Sequence, residues 1–153
     1  MDGKVLSVER VIPSSPEAIF TLLSDASRHH DIDGSGTVMA ARSGAAERLR
    51  PGAAFGMSMR VGLPYSTVNT VIEYEENRRI AWQTTIGGIP GRLAGGRIWR
   101  YELEPAEGGT RVRESWDISQ DKQSAMLKLV AARRTRAAME KTLERIEELT
   151  RGS

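Results

Sequence analysis

A chain of 153 residues, 39% hydrophobic and 27% charged, has the size and composition of one soluble globular domain, 1–153, that can bury a core without covalent staples. It contains no cysteine, which excludes disulfides, thiol nucleophiles and zinc–thiolate centres. Its net charge of +2 is the small difference between 22 basic and 20 acidic residues, and Arg and Lys alternate with Glu instead of massing on one face as nucleic-acid binders require.

The elements follow in chain order. Lys4 to Ile12 is a β-branched run that predicts a first strand. Pro13-Ser14-Ser15-Pro16-Glu17 then changes the period: either Ser15 caps a helix with Pro16 at its first position, or Ser14 caps it and Glu17 completes a capping box. Ile19, Phe20, Leu22 and Leu23 supply that helix with an apolar face, and Asp25 to His30 predicts a second short helical turn. Asp33-Gly34-Ser35-Gly36 is a turn, and Thr37 to Arg42 a strand. Phe55, Met57, Met59 and Val61 alternate with small or polar residues at strand period. Val68, Thr70, Ile72 and Tyr74 repeat the alternation, and Ile80, Trp82, Thr84 and Ile86 return it after a polar hairpin at Glu75 to Arg79.

Gly87 to Gly96 is a glycine-rich loop, a plain connection or a lid. Ile98 to Glu104 and Thr110 to Ile118 flank another tight hairpin. About seven strands joined mostly by short turns imply antiparallel pairing. From Asp121 to Leu149 neither Gly nor Pro occurs, and strong helix formers dominate. Such a helix, about 43 Å long, must lie across the sheet. Met126, Leu129, Val130, Ala137, Met139, Leu143, Ile146 and Leu149 form its imperfect apolar stripe, interrupted by Arg133-Arg134-Thr135-Arg136.

This order resembles the helix-grip fold of the SRPBCC superfamily, which includes START lipid-transfer domains, birch-pollen-allergen-like proteins and aromatic polyketide cyclases. Four segments carry the resemblance: Val8 to Phe20, Val71 to Trp82, Trp99 to Pro105 with Gly108 to Val112, and the terminal helix. Asp33 to Val38 with Tyr65 and Asn69 is similar to an actinobacterial-type branch labelled polyketide cyclase or dehydrase. The resemblance implies an α+β domain: a curved seven-stranded antiparallel sheet around a long C-terminal helix, two short helices after the first strand, and a cavity between sheet and helix. Fold alone does not set function.

The strand faces that read apolar would line such a cavity: Phe55, Met57, Met59, Trp82, Trp99, Tyr101 and Trp116, joined by Met126 and Val130 from the helix. Each also reads as ordinary core. Tyr65 and Asn69 would orient a ligand carbonyl or hydroxyl, although Asn69 could equally serve a bulge or face solvent. Glu114 alternates with Val112 and Trp116; pointing inward it would be a buried acid–base group, pointing outward a partner of Arg100 or Arg113. His29-His30-Asp31-Ile32-Asp33 holds the chain's two histidines. Adjacent histidines on a helix diverge by about 100° and do not form a ready chelate, so no metal is expected. His30 and Asp33 are the residues of that segment best placed for acid–base work, because the first loop of the family borders the cavity mouth.

Three functions fit. The first is binding of a hydrophobic or aromatic small molecule, lipid-like or polyketide-like, without cofactor. The second is a polyketide cyclase or dehydrase that uses His30 or Glu114 as proton carrier. The third is an accessory protein, as a homodimer for instance, with a filled cavity. No nucleophile elbow, Rossmann fingerprint or phosphate loop is present. No run of about 18 apolar residues exists to span a membrane, and Met1-Asp2-Gly3-Lys4 lacks the apolar core of a signal peptide, so a cytoplasmic location is expected.

Overall fold

The computed structural model describes residues 3–35, 38–41, 49–61, 63–86 and 95–151. The lid expectation for Gly87 to Gly96 rests mostly on 87–94, outside those residues. The elements run β1 (Val5–Ile12), α1 (Pro16–Leu23), a 3₁₀ turn (Ala26–Arg28), α2 (His29–Ile32), β2 (Val38–Ala41), β3 (Ala54–Val61), β4 (Leu63–Glu75), β5 (Arg79–Ile86), β6 (Arg97–Ala106), β7 (Gly109–Asp117) and α3 (Ser124–Thr150). The strands form one antiparallel sheet in the order β1-β7-β6-β5-β4-β3-β2. Six strands of eight to thirteen residues make its body, and the four-residue β2 lies on the edge beside β3. From β3 to β7 each strand pairs with its sequence neighbour, through short turns everywhere except the longer β5–β6 connection. Strand β1 closes the other edge against β7, from Val5 opposite Asp117 to Ile12 opposite Thr110.

Ser15 resolves the capping alternative. Its side-chain oxygen accepts from the Ala18 amide at 3.1 Å with Pro16 at the helix start, which satisfies one of the first-turn N–H groups. Ser14 instead donates to the Thr150 carbonyl at 2.7 Å and ties the β1–α1 corner to the end of α3.

The long helix is not uniform. Met139, Thr142, Leu143 and Ile146 are buried at spacings of three and four, whereas Met126, Leu129 and Val130 in the first half are exposed. A Leu or Ile buried in this way contributes about 1.5–3 kcal/mol, so the second half carries the packing. It is fastened there by polar contacts as well. The Gly34 amide donates to Thr142 Oγ1 at 2.9 Å, Arg145 donates to the Asp33 carbonyl, and Arg10 meets Glu147 at 3.1 Å.

Strand β4 departs from the sequence expectation. Val68, Thr70 and Ile72 face solvent, while Thr67, Asn69 and Val71 face inward. The register then slips between Val71 and Glu73, and Tyr74 crosses to the inner side, where its ring meets Phe20 edge-on at 5.4 Å. A bulge inserts one unpaired residue and flips every later side chain. The apparent continuous alternation from Val68 to Tyr74 is therefore two faces joined at a bulge.

Candidate functional site

Cross-strand register organises the inner wall into rows. One row runs Phe55, Asn69, Thr84, Arg97; the next runs Val71, Trp82, Trp99, Trp116; a third runs Ile80, Tyr101, Glu114. Rows are two residues apart along each strand, roughly 7 Å. With α2 and the middle of α3 they line a partly open cavity of about 310 Å³.

Its walls are largely aromatic and thioether: Phe55, Met57, Met59, Trp82, Trp99 and Tyr101. The Trp82 ring centre lies 5.7 Å from those of both Phe55 and Tyr101, so three strands share one aromatic surface. Trp116 is buried behind this surface, 6.3 Å from Trp99 between ring centres, and does not reach the cavity; its Nε1 has no partner among the described residues. Met126 and Val130 lie on the exposed first half of α3, outside the lining, because the helix presents Arg134, Thr135, Ala138, Met139 and Thr142 there instead. Tyr65 stands opposite Met59 in the β3–β4 ladder, and its side chain falls outside the described residues.

Asn69 is buried in the wall and hydrogen-bonded throughout. Its Nδ2 donates to Thr67 Oγ1 at 3.2 Å and to the Phe55 carbonyl at 3.4 Å, and its Oδ1 accepts from the Thr84 hydroxyl at 2.6 Å. The amide thus sets proton polarity around it. The Thr67 hydroxyl keeps its hydrogen for another acceptor, and Thr84 keeps lone pairs for another donor. Both threonines line the cavity. Asn69 acts there by orienting its neighbours.

The first loop contributes His29, not His30. His30 is exposed, whereas His29 is buried, lines the cavity and stacks on Trp82 with ring centres 4.7 Å apart and planes 21° off parallel. A carbonyl can only accept, so Nε2–H donates to the Leu23 carbonyl at 2.8 Å and Nδ1 is the bare nitrogen of the neutral ring. Burial pushes its pKa below the usual histidine value, against smaller opposing effects of that hydrogen bond and Asp25. The sequence signal for His29 was its place three residues before the buried Ile32 on one helical face. Asp33 lines the cavity mouth, with its Oδ1 accepting from Ser35. Among the described residues no three His, Asp or Glu side chains converge as a metal site would require.

Glu114 points inward. Arg100 and Arg113, its alternative partners, are engaged on the outer face: Arg100 forks onto Glu73 at 2.5–3.1 Å and Arg113 reaches Glu9 at 2.5 Å. Glu114 is 2% exposed, lines the cavity, and its Oε1 has no hydrogen-bond partner among the described residues. Burial drives its pKa well above the ordinary carboxylate value; the Tyr101 hydroxyl opposes this, and the charge of Asp33 reinforces it. The same burial raises Tyr101 well above a free phenol, helped by Glu114. Burial therefore favours the protonated carboxyl of Glu114 and the neutral phenol of Tyr101 inside the cavity.

At the rim, Arg97 donates from Nε to Asp121 Oδ2 at 3.2 Å, and the Asp121 side chain is fully buried. Asp121 Oδ1 also accepts from the Gln123 amide at 2.8 Å. One carboxylate thus joins the cavity rim to the start of α3.

Comparison with known proteins bears on the fold and the family. A Mycobacterium tuberculosis protein described as uncharacterised, Rv0088, is 32% identical over 113 residues, 72% of this chain. The chain spans just under half, 45%, of that relative. Protein CV1439 from Chromobacterium violaceum superposes with a TM-score of 0.74 at 16% identity, over 98% of this chain and 99% of that one. The Aha1 dimer from Colwellia psychrerythraea gives 0.63 at 19% identity, over 97% and 98%. Both share the fold. Residues 4–150 match the family described as polyketide cyclase / dehydrase and lipid transport, and the chain belongs to that family.

Proposed function

We propose that the protein binds a flat hydrophobic or aromatic small molecule between sheet and α3. The observation that carries this reading is the cavity of about 310 Å³, walled by Phe55, Met57, Met59, Trp82, Trp99 and Tyr101 with a few buried polar groups among them. Apolar walls supply affinity through desolvation, and convergent polar groups fix orientation. Native mass spectrometry of the protein purified from its own host tests it: a bound small molecule of constant mass is expected. Titration with aromatic and fatty ligands should also change Trp82 and Trp99 emission. No adduct and no spectral response would end this reading.

An enzymatic reading of the polyketide cyclase or dehydrase kind draws support from one feature, the inward Glu114, whose burial favours its protonated form. Such a reaction needs a proton carrier inside the cavity, and Glu114 is suited to it. Unchanged turnover of a candidate polyketide by Glu114→Gln would remove it. A homodimer draws support from the exposed Met126, Leu129 and Val130; a monomer in sedimentation at micromolar concentration would dismiss it.

A further inference from the structure

The cavity reading rests on shape and apolar lining; the polar groups say more about what fills it. Glu114 is the most deeply buried ionisable residue of the lining, and one of its oxygens has no hydrogen-bond partner among the described residues. An unsatisfied buried polar atom costs roughly 1–3 kcal/mol, and a fold retains that cost where a ligand relieves it. The terminal torsion of a glutamate is soft, so the carboxyl can turn its proton into the cavity. Tyr101 stands beside it on β6 and Asp33 adds negative charge nearby. Arg97, the sheet guanidinium that lines the cavity, sits two rows away, roughly 13 Å along β6, and is already joined to Asp121.

We propose that Glu114 is a hydrogen-bond donor that selects a ligand carrying a neutral acceptor oxygen, a ketone, quinone or ester carbonyl, and that it disfavours carboxylates. This deepens the proposed function and rests on it. An aliphatic or aromatic acid seated at Glu114 would bring its negative charge toward Asp33 and would be desolvated there; of the two cations that line the cavity, Arg97 is held by Asp121 two rows away and Arg134 lies on α3. A carbonyl on an aromatic skeleton would stack along Trp82 and Tyr101 and accept the Glu114 proton in a hydrogen bond.

The test uses three probes of one skeleton: methyl naphthyl ketone, ethylnaphthalene and naphthoate, titrated by calorimetry into the full chain. At about pH 5 the ketone should bind about tenfold tighter than the hydrocarbon, the worth of one buried hydrogen bond, and tighter than naphthoate. That advantage should fade as pH rises well above the ordinary carboxylate range and Glu114 ionises. The groups facing Glu114 do not produce the same profile. Tyr101 ionises only at higher pH, His29 titrates on the acid side of its usual value, and Arg97 and Arg134 carry fixed charge. Asp33 acts through its charge, in the direction already included. Glu114→Gln should keep the ketone preference and lose its pH dependence, because the amide still donates and does not titrate. Glu114→Leu should bind ketone and hydrocarbon alike.

Equal binding of ketone and hydrocarbon by the native protein, tighter binding of naphthoate, or an intact preference in Glu114→Leu would overturn the proposal while leaving the cavity reading in place. If Glu114→Leu does not fold, the pH profiles of the native protein and Glu114→Gln decide. Failure of all three probes to bind the folded protein would overturn both.

Discussion

Glu114 on β7 and Tyr101 on β6 are direct cross-strand partners, buried together on the face of the sheet that lines the cavity. Burial raises the cost of ionising both; Glu114 adds to that cost for Tyr101, whereas the Tyr101 hydroxyl, hydrogen-bonding the carboxylate, offsets part of it for Glu114. Two acids whose burial favours their neutral forms, held side by side, make the behaviour of this part of the sheet depend on pH.

Stability should follow. The Glu114 pKa is higher folded than unfolded, so between the two values the folded chain holds a proton that the unfolded chain has released. Stability contributed by this group is full below the ordinary carboxylate range and falls as pH rises above it. Glu114→Gln removes the titration. Urea melts across the neutral range should show the native protein losing stability with pH relative to the variant. A constant difference between the two would show that Glu114 does not titrate as its burial requires.

His29 works in the opposite sense. Its folded pKa is depressed, so its contribution is complete above the ordinary histidine value and is lost as pH falls below it. The ring also stacks on Trp82. His29→Leu should cost about 0.5–1.5 kcal/mol at pH 8, the worth of an aromatic pair, and should flatten the acid limb of the stability curve. Trp82 emission, followed through the same titration, should report protonation of the native ring and stay level in the variant.

Much of the fold was legible because its signals are local. Period-two alternation marked β3 and β5, the tight hairpin joining β6 and β7 marked that pair, and the long stretch without Gly or Pro marked α3 within a few residues. The wall residues Phe55, Met57 and Trp82 could be read for the same reason. Strand β4 misled because its exposed side carries Val68 and Ile72 while its buried side carries Thr67 and Asn69, the reverse of ordinary patterning. Such an inversion is expected where a cavity needs polar groups inside, and the bulge before Glu73 concealed it. Met126 and Val130 misled because helical period marks an apolar face without saying which turns have a sheet beneath them. His29 and His30 are neighbours in sequence, and only the docking of α2 decides which is buried.

The two halves of α3 should respond differently to truncation. Leu143 is 1% exposed and packs in the core, whereas Leu129 is 85% exposed. Leu143→Ala should cost about 2–5 kcal/mol, as buried leucines do, and Leu129→Ala less than about 0.5 kcal/mol. Chemical denaturation of both variants checks the contrast. A substantial loss in Leu129→Ala would mean that the first half of the helix is covered in solution.

Gly34 is where the first loop meets the helix. A methyl group on its Cα would lie 2.1 Å from the Ala138 carbonyl oxygen and 2.7 Å from the Thr142 amide, both backbone atoms of α3 that cannot rotate aside. Its own amide donates to Thr142 Oγ1, so the close approach and the hydrogen bond require each other. Gly34→Ala should therefore push α3 from the loop and break that bond, destabilising the protein by about 1–3 kcal/mol or more, as overpacking of a tight contact does. Because Asp33, Ala138 and Thr142 also line the cavity, the same change should weaken binding of any cavity ligand. Gly108 provides the control: nothing lies within 4 Å of a Cβ there, so Gly108→Ala carries only the strain of its positive φ and should leave binding unchanged. Ligand titrations and thermal melts of the two variants, run side by side, separate contact between loop and helix from backbone strain alone.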